Sequence, residues 1–541
     1  MREVRNRDAG RAAVTVDGPD ARTGTGSIGD AIIAAVHRFG DREALVCGTE
    51  RLTYAQVGDA VARLRGAMEH AGLRPGDTVA QITANRPAQW LTTAACYIAG
   101  YRSVTLPPHG LPAEALRARL AAAGPALVVA DPSWVADIAE WDIPGRGVIR
   151  VADGPAPDGD LPEGWTELRA FTAGQSAGPI GPAAPADTVV RLGYTSGATA
   201  AAKAVLLSSG ALCGVAVLNL AQADWPARPR VLCAESVAGG FGNMVMPTLM
   251  RGGTFVMLET FTAQGFLDAA AEHRPNVLLA MPPALREILA HPEADGVDWS
   301  DVGLLIYSGA VLTPAEIDRA HTLFGHVLCG VFGQVEAPKT IAFLAPEDHL
   351  SPTRRTSLGL PYAGMTVQVQ DLAGKPCPAG VAGEVCVTGP TVTAGYEGAT
   401  AAGQPFRDGW LRTGDVCRTD QDGYLHYLNR IGDTLDQDGT LLCPTDLEAL
   451  LETEAGVTSA AVVALPEDNG VLVALTGPVP TAPRTDDVDR IRTCLRAAGV
   501  HTVGVLPVAA LPRDVMGRVD RRALRARWTD DRRGQVSSDD L

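Results

Sequence analysis

Apolar residues along the chain alternate between short continuous runs and runs with the spacing of one helical face. Helical spacing predicts helices at 54–64 and 87–99, and apolar runs predict strands at 78–82 and 103–106. Strands that alternate with helices are typical of parallel or mixed sheet covered by helices. We expect this alternation to resume after an irregular connection, rich in Gly, Pro and Ala, at 141–187.

The pattern changes after about residue 360, where short β segments are separated by Asp-Gly and Ala-Gly turns. A compact module follows, in which strands at 434–436 and 440–442 precede a helix that starts at Thr445 with the form of a capping box. The predicted fold class is therefore α/β. A large N-terminal domain of parallel or mixed sheets with covering helices and a β-rich portion precedes a small, mobile α+β C-terminal domain.

The predicted domain boundaries follow these changes. Both ends of the chain are charged, aperiodic and rich in Gly, Ser or Asp, which is typical of flexible tails. The predicted segments are a tail at 1–26, a large domain at 27–431, a small lid domain at 432–528 and a second tail at 529–541.

Composition narrows the class of partner. The net charge of −16 argues against a general nucleic-acid or anionic-membrane surface, since both need basic patches. Ten cysteines without a Cys-x-x-Cys pair indicate reduced thiols, and no apolar stretch is long enough to span a bilayer. We expect a cytoplasmic monomer or homodimer with small-molecule partners.

A hydroxyl-rich loop joins two predicted strands at 188–192 and 204–207. Triphosphates need close backbone N–H groups, hydroxyl donors and a cation, and the loop offers all three. The residues concerned are Thr195, Ser196, Gly197, Thr199 and Lys203, the last of which is one of three lysines against 43 arginines. The alternative is an ordinary hydroxyl-rich hairpin turn.

Further segments carry complementary chemistry. Ser308, Gly309 and Ala310 follow an apolar strand and offer bare backbone to a flat base or an apolar acid. Phe332 and Gly333 supply a ring suited to adenine stacking beside a small residue.

Three charged residues complete the set. The carboxylate of Glu336 suits Mg²⁺, Asp415 can accept both ribose hydroxyls, and Arg430 can bond the same sugar. Taken singly, Glu336 is equally a helix-start carboxylate, Asp415 a turn residue and Arg430 a surface ion pair. Their order and spacing along one chain favour a nucleotide site.

In that order and spacing, the segments at 194–204, 332–336, 413–415, 429–433 and 512–518 resemble the motifs of the adenylate-forming superfamily. This superfamily includes acyl-CoA synthetases, nonribosomal adenylation domains and firefly luciferase, and the resemblance covers roughly residues 27–525. In type, the chain is most similar to bacterial secondary-metabolism acyl and aryl ligases.

The resemblance implies ATP and Mg²⁺ as cofactors, with CoA as a further candidate. It also implies roles for residues: Thr195, Ser196 and Thr199 hold the β and γ phosphates, Glu336 holds Mg²⁺, and Asp415 with Arg430 holds the ribose. Gly432 falls at the hinge between the domains.

The chain departs from the family pattern at several positions. Arg518 stands where the family has the catalytic lysine that bridges the acid and the α-phosphate, and Val335 replaces a threonine hydroxyl. Two glycines and a proline of the family's phosphate loop are Ala200, Ala204 and Ala202 here, which predicts a stiffer loop. Arg518 either keeps the cationic role or is a drift in an arginine-rich chain.

The acid pocket is expected between residues 237–246 and the strand at 329–331. Its predicted lining is small and apolar, with no Lys or Arg to pair a second carboxylate, so a compact aromatic or short apolar acid fits. The predicted lining residues are Phe241, Met244, Gly309, Cys329, Gly330 and Val335.

These predictions lead to an ATP-dependent ligase that forms an acyl-adenylate and transfers it to an acceptor, either an amine or a thiol such as CoA. An amine is favoured because the segment 435–439 carries carboxylates that would repel the phosphates of CoA. Two alternatives stay open: activation of nitrite for N–N bond formation, as in diazotase-like members, and a degenerate nucleotide-binding protein without catalysis.

Overall fold

A computed structural model gives the structure of the chain. It describes residues 26–107, 112–143, 147–154, 160–194, 203–399, 404–437, 440–455, 460–468, 470–476, 485–514 and 518–539.

The α-helices lie before residue 325 and after residue 443, and the described residues between these limits contain no α-helix. In chain order they are α1 Ile28–Phe39, α2 Tyr54–His70, α3 Pro87–Ala99, α4 Ala113–Ala123, α5 Val135–Glu140, α6 Leu168–Thr172, α7 Ser209–Gln222, α8 Val245–Met250, α9 Ala263–His273, α10 Pro282–Ala290, α11 Pro314–Phe324, α12 Pro444–Ala455, α13 Thr485–Ala497 and α14 Arg521–Asp539.

Strands alternate with these helices and dominate the middle of the chain. They are β1 Glu43–Cys47, β2 Glu50–Thr53, β3 Thr78–Ile82, β4 Arg102–Thr105, β5 Leu127–Ala130, β6 Ile149–Ala152, β7 Trp165–Glu167, β8 Val189–Tyr194, β9 Ala204–Ser208, β10 Arg230–Cys233, β11 Thr254–Met257, β12 Val277–Ala280, β13 Leu304–Ser308, β14 Leu328–Phe332, β15 Ala342–Leu344, β16 Leu360–Pro361, β17 Thr366–Gln370, β18 Gly383–Thr388, β19 Gly395–Tyr396, β20 Phe406–Arg407, β21 Trp410–Thr419, β22 Leu425–Arg430, β23 Leu435–Gln437, β24 Thr440–Leu442, β25 Ala460–Leu465, β26 Gly470–Thr476 and β27 Thr502–Val508.

Two large sheets form the core of the first part of the chain. One has nine strands in the order β16-β15-β14-β13-β12-β10-β11-β1-β2, and the other has eight in the order β19-β9-β8-β4-β3-β5-β6-β7. Their central strands run parallel, whereas β2, β9, β15, β16 and β19 pair antiparallel at the edges. All residues of strands such as β12 are buried, as expected when helices cover both faces of a parallel sheet.

Strands β17, β18, β20, β21 and β22 form a five-stranded antiparallel sheet, the predicted β-rich portion. The strands after Leu435 form separate two- and three-stranded sheets with apolar clusters of their own, one of them centred on Leu451 and Ile491. The predicted α/β fold class is confirmed.

The structure differs from the predictions in two places near the C-terminus. Helix α12 begins at Pro444, and the Thr445 hydroxyl makes no hydrogen bond to any described residue, so the predicted capping box does not form. Instead, the Glu448 carboxylate accepts hydrogen bonds from the Val462 amide and the Arg521 guanidinium. Helix α14 continues to Asp539, within the segment predicted as a tail.

Among the described residues, no helix is both long enough and apolar enough to cross a bilayer.

Candidate functional site

The carboxyl ends of the parallel strands meet at one edge of the nine-stranded sheet, where ligands of open α/β sheets usually bind. Ser308 ends β13 and is buried, Gly309 follows with a φ of +102°, and its backbone is exposed. Ala310 is half-buried beside it. The bare backbone predicted here is therefore present at the sheet edge.

The loop after β14 holds the predicted carboxylate. Glu336 is buried, and its Oε1 accepts a hydrogen bond of 2.7 Å from the Tyr396 hydroxyl. The Glu336 carbonyl also accepts a hydrogen bond of 2.7 Å from the amide of Thr393, just before β19. Two hydrogen bonds thus tie this loop to the edge of the eight-stranded sheet.

Lys203 belongs to the same cluster. Its Nζ lies 4.6 Å from the centroid of the Tyr396 ring, within the range of a cation–π contact. The pKa of Tyr396 is raised by burial and by the Glu336 charge, so the phenol stays a hydrogen-bond donor. Lys203, Tyr396 and Glu336 therefore form one polar cluster, called here the Tyr396 cluster.

Strands β8 and β9 pair antiparallel up to Tyr194 and Ala204, so the predicted phosphate loop does connect strand to strand. Residues 195–202 lie outside the described part of the chain, and with them the predicted phosphate contacts of Thr195, Ser196, Gly197 and Thr199.

Val335 faces the end of β8, because a Cβ on Gly193 would come within 2.4 Å of its Cγ1. A Val335 methyl group thus lies against Gly193, at the position where the resemblance implies a threonine hydroxyl.

The predicted ribose residues lie together on two paired strands. Asp415 of β21 is opposite Arg430 of β22 in register, and Arg430 Nε lies 3.2 Å from Asp415 Oδ1. Gln334 donates its side-chain amide to Asp415 Oδ2 and, at 2.8 Å, to the Thr413 carbonyl. Asp415 therefore connects the β14 loop to the antiparallel sheet.

Burial raises the pKa of Asp415, and the Arg430 charge and the Gln334 hydrogen bond act against that rise. Only about 4% of Asp415 is exposed, whereas half of the Arg430 side chain is exposed. The buried Asp415 carboxylate beside the exposed Arg430 guanidinium suits a polar ligand that enters from solvent.

Phe332 ends β14 and is half-buried, as a ring that stacks on a ligand would be. Gly333 is packed too tightly for a side chain, since a Cβ there would lie 2.2 Å from the Lys339 backbone nitrogen. The glycine is therefore required by the path of the β14 loop itself.

Arg518 is paired with a residue of its own segment. Its Nε donates to Asp514 Oδ2 at 2.8 Å, and half of its side chain is exposed. Burial raises the pKa of Asp415 and of Tyr427, and the Arg518 charge opposes that rise in each case. Burial lowers the pKa of Arg518 and the hydrogen bond to Asp514 raises it, and the net result is a raised pKa.

Gly432 lies in the single turn Ile431–Asp433 between β22 and β23. A Cβ built on it meets no atom within 4 Å, so this conformation has no steric need for glycine.

The predicted pocket residues separate into two groups. Phe241, Met244 and Cys329 are buried in one apolar cluster. Gly330 faces elsewhere, because a Cβ on it would lie 3.0 Å from the Tyr307 hydroxyl. The sheet pleat accounts for this, since neighbouring residues of a strand point to opposite faces.

The structure adds a cation that the predicted apolar lining does not contain. Lys339 follows the β14 loop, and its Nζ lies 3.8 Å from the centroid of the Phe241 ring. Burial lowers the pKa of Lys339 to about 7, although the nearby Glu235 charge raises it.

Tyr396, Gln334 and Lys339 are the side chains of this region that no sequence pattern singles out. Lys339 carried one signal, the scarcity of lysine in the chain.

The donor set fits MgATP. Glu336 uses Oε1 for Tyr396, and among the described residues its Oε2 makes no hydrogen bond, so that oxygen can ligate Mg²⁺. The described residues contain no group of three or more His, Cys, Asp or Glu side chains able to hold a metal. A single carboxylate suits Mg²⁺ that arrives with the phosphates of its nucleotide, and the bound ion would polarise the phosphate oxygens.

Comparison with known proteins agrees with this geometry. Residues 33–397 match the family model of the AMP-binding enzyme. The chain is 28% identical over 517 residues to the medium/long-chain-fatty-acid–CoA ligase FadD8 of Mycobacterium tuberculosis, covering 92% of this chain and 90% of that protein. It is 30% identical over 492 residues to feruloyl-CoA synthase of Amycolatopsis sp, and the match covers 88% of this chain and 94% of that protein.

Among solved structures, the amide bond synthetase McbA from Marinactinospora thermotolerans matches with a TM-score of 0.74 and 25% identity, covering 92% of this chain and 99% of that one. The family match spans more than half of the chain and includes the β14 loop and the Tyr396 cluster. The chain belongs to the AMP-binding enzyme family and is an ATP-dependent, adenylate-forming ligase that uses Mg²⁺.

Proposed function

We propose that the enzyme activates a compact aromatic or short apolar acid as its acyl-adenylate and transfers the acyl group to an amine. The activation step is supported by one observation: the carboxylates of Glu336 and Asp415 both lie at the loop after β14. Tyr396 holds the first by a hydrogen bond, and Gln334 holds the second.

Glu336 is proposed to ligate Mg²⁺ on the phosphates, held in one rotamer by the Tyr396 hydroxyl. Lys203 is proposed to neutralise phosphate charge, since its ammonium lies 4.6 Å from the centroid of the same phenol ring. The predicted hydroxyls of residues 195–199 would complete this phosphate site.

Asp415 is proposed to accept the ribose hydroxyls, with Arg430 as a second contact to the sugar. This role is supported because the Asp415 carboxylate is buried and hydrogen-bonded by Gln334. The acceptor is therefore already in position before the ligand arrives. Phe332 and the backbone at Ser308, Gly309 and Ala310 are proposed to flank the adenine.

Arg518 is proposed to supply the positive charge that stabilises the pentavalent α-phosphorus while the acid oxygen attacks and pyrophosphate leaves. Its electrostatic influence on Asp415 supports this position, and its pairing with Asp514 must open for contact with the substrate. We propose that a lid of residues 432–528 rotates against residues 27–431 about Gly432, where a side chain would meet open space.

An amine acceptor is supported by the likeness to an amide bond synthetase and by Asp436, which is exposed at the start of the lid. The second candidate acceptor is CoA, because FadD8 and feruloyl-CoA synthase are named for it. The ten free cysteines fit a reducing compartment such as the cytoplasm.

The test is ATP–pyrophosphate exchange with a panel of aromatic and short aliphatic acids, followed by product mass with aliphatic amines, arylamines or CoA. Exchange that depends on an organic acid and an amide product support the proposal. A thioester product assigns CoA instead, and turnover that needs nitrite with an arylamine assigns the diazotase-like chemistry. ATP binding without exchange for any acid or nitrite contradicts an active enzyme.

Arg518 is tested in the same assay by Arg518→Ala, with Arg522→Ala, an exposed arginine at the start of α14, as the matched control. We expect a loss of about 100-fold in exchange for the first and none for the second, since loss of a preorganised charge contact costs about 3 kcal/mol. Equal rates in the two variants would remove Arg518 from catalysis.

A further inference from the structure

We propose that Lys339 is a specificity residue of the acid pocket, and that the acid carries a hydrogen-bond-accepting oxygen at the end remote from its reacting carboxylate. This inference rests on the proposed function, because it concerns the acid that the enzyme adenylates.

The backbone holds Lys339 in a fixed and unusual conformation. Its φ of +59° lies in the left-handed region, which side-chain-bearing residues seldom occupy. The β14 loop is closed by hydrogen bonds from the Gln334 amide to Ala337 and from the Ile341 amide to Phe332. The side chain of Lys339 is therefore directed by a tightly folded loop rather than by its own rotamer preferences.

The side chain ends against the predicted pocket. Its Nζ lies 3.8 Å from the Phe241 ring centroid, and a Cβ on Gly240 would lie 3.3 Å from its Cε. Gly239 and Gly240 are exposed, so small residues line the approach from solvent to this ammonium. A ring in contact with Phe241 would carry its distal substituent to Nζ.

No carboxylate of the described residues pairs directly with Lys339. Only 9% of the residue is exposed, yet among the described residues its Nζ makes no hydrogen bond and no ion pair within 4.0 Å. Glu235, on the loop after β10, attracts it from farther away while its Oε1 accepts a hydrogen bond of 2.9 Å from the Met281 amide. In the described part of the chain, the other titratable group that acts on it is the buried Cys233 thiol.

A buried ammonium without hydrogen bonds is costly, so a ligand oxygen in this position is strongly favoured. A ligand methyl group in its place would leave that cost unrelieved. The site should therefore prefer an aryl acid with a distal carboxylate, phenol or carbonyl oxygen over the methyl analogue of equal length.

The experiment measures exchange kinetics for matched acids: 4-methyl-, 4-hydroxy- and 4-carboxybenzoate, and the same three substituents on 3-phenylpropanoate. We expect kcat/KM for the best oxygen-bearing acid to exceed that of its methyl analogue at least tenfold. In Lys339→Met that ratio should fall below one, and Lys339→Gln, which keeps a neutral donor, should retain the hydroxy acid but lose the carboxy acid.

Lys375→Met is the matched control, because Lys375 is exposed on the turn after β17 and its substitution should leave the ratio unchanged. Circular dichroism and thermal melting show whether each variant is folded. If Lys339→Met does not fold, Lys339→Gln is used for the test.

The outcomes separate this inference from the function on which it rests. If the wild type catalyses exchange and the ratio of kcat/KM between the oxygen-bearing and methyl acids is equal in wild type, Lys339→Met and Lys339→Gln, the role of Lys339 is overturned. Acid activation is then unaffected. No exchange with any acid overturns the proposed function and this inference with it.

Discussion

The Tyr396 hydroxyl donates a hydrogen bond of 2.7 Å to Oε1 of Glu336, although the two residues are 60 positions apart in the chain. Tyr396 lies on the short strand β19, which pairs with β9 directly after the predicted phosphate loop. The bond therefore joins the carboxylate beside β14 to the strand that pairs with β9.

Tyr396→Phe is expected to weaken the use of MgATP. Without the hydroxyl, Glu336 loses its fixed rotamer, and a hydrogen bond to a carboxylate is worth about 2 kcal/mol, or roughly 30-fold. Exchange assays at varied Mg²⁺ should show a KM for MgATP that is roughly 10- to 30-fold higher. Tyr424→Phe is the control, because its hydroxyl bonds Asp348 in the same way at 2.6 Å in another region. An unchanged Mg²⁺ dependence in Tyr396→Phe would contradict the role of this bond.

Asp415→Asn is expected to remove recognition of the ribose. A neutral amide accepts more weakly and cannot pair with Arg430, so kcat/KM for ATP should fall about 10- to 100-fold. The wild type should discriminate against 3′-deoxy-ATP, and the variant should lose that discrimination. Asp420→Asn, at the end of the same hairpin where Asp420 pairs with His426, serves as control. If Asp415→Asn keeps the full discrimination, the ribose is bound elsewhere.

Gly193→Ala is expected to destabilise the fold through a clash with Val335. The new methyl group would lie 2.4 Å from Val335 Cγ1, and overpacking of this kind costs about 1–3 kcal/mol. Urea unfolding should show this loss, and the double variant with Val335→Ala should recover most of it. Gly303→Ala, where a methyl group meets nothing within 4 Å, should be nearly neutral. Additive losses in the double variant would show that the two residues do not touch.

Lys339→Met is expected to stabilise the folded protein, most strongly below pH 7. The folded-state pKa of Lys339 is lowered from 10.5 to about 7, so between these values the unfolded chain holds a proton that the folded chain lacks. Wild-type stability should therefore rise with pH across this window, and the advantage of the variant should shrink by on the order of 2 kcal/mol from pH 7 to pH 9. Urea unfolding at pH 6, 7 and 9 measures this, with Lys375→Met as control. A pH-independent difference would mean that Lys339 titrates normally.

Much of the fold follows from local pattern. The helix predicted at 87–99 and the strand at 78–82 agree with α3 and β3 in both bounds, because Pro87 and Gly100 mark the ends of the helix and Gly76 and Asp77 precede the strand. The start of α12 was predicted one residue late, since the capping-box pattern at Thr445 competes with Pro444, a residue favoured in the first turn of a helix. The Val462 backbone amide and the Arg521 guanidinium donate hydrogen bonds to the Glu448 carboxylate, and no local pattern contains these contacts.

The sequence by itself determined the class of protein and the set of charged residues proposed for the nucleotide site, because phosphate and ribose require specific side chains at specific spacings. Only the tertiary structure decided the partners of those residues: Tyr396 for Glu336, Gln334 for Asp415, and Phe241 for Lys339. The reason is physical. Strand order and sheet register bring together residues that lie 60 to 98 positions apart, and neither is encoded in the spacing of a single motif.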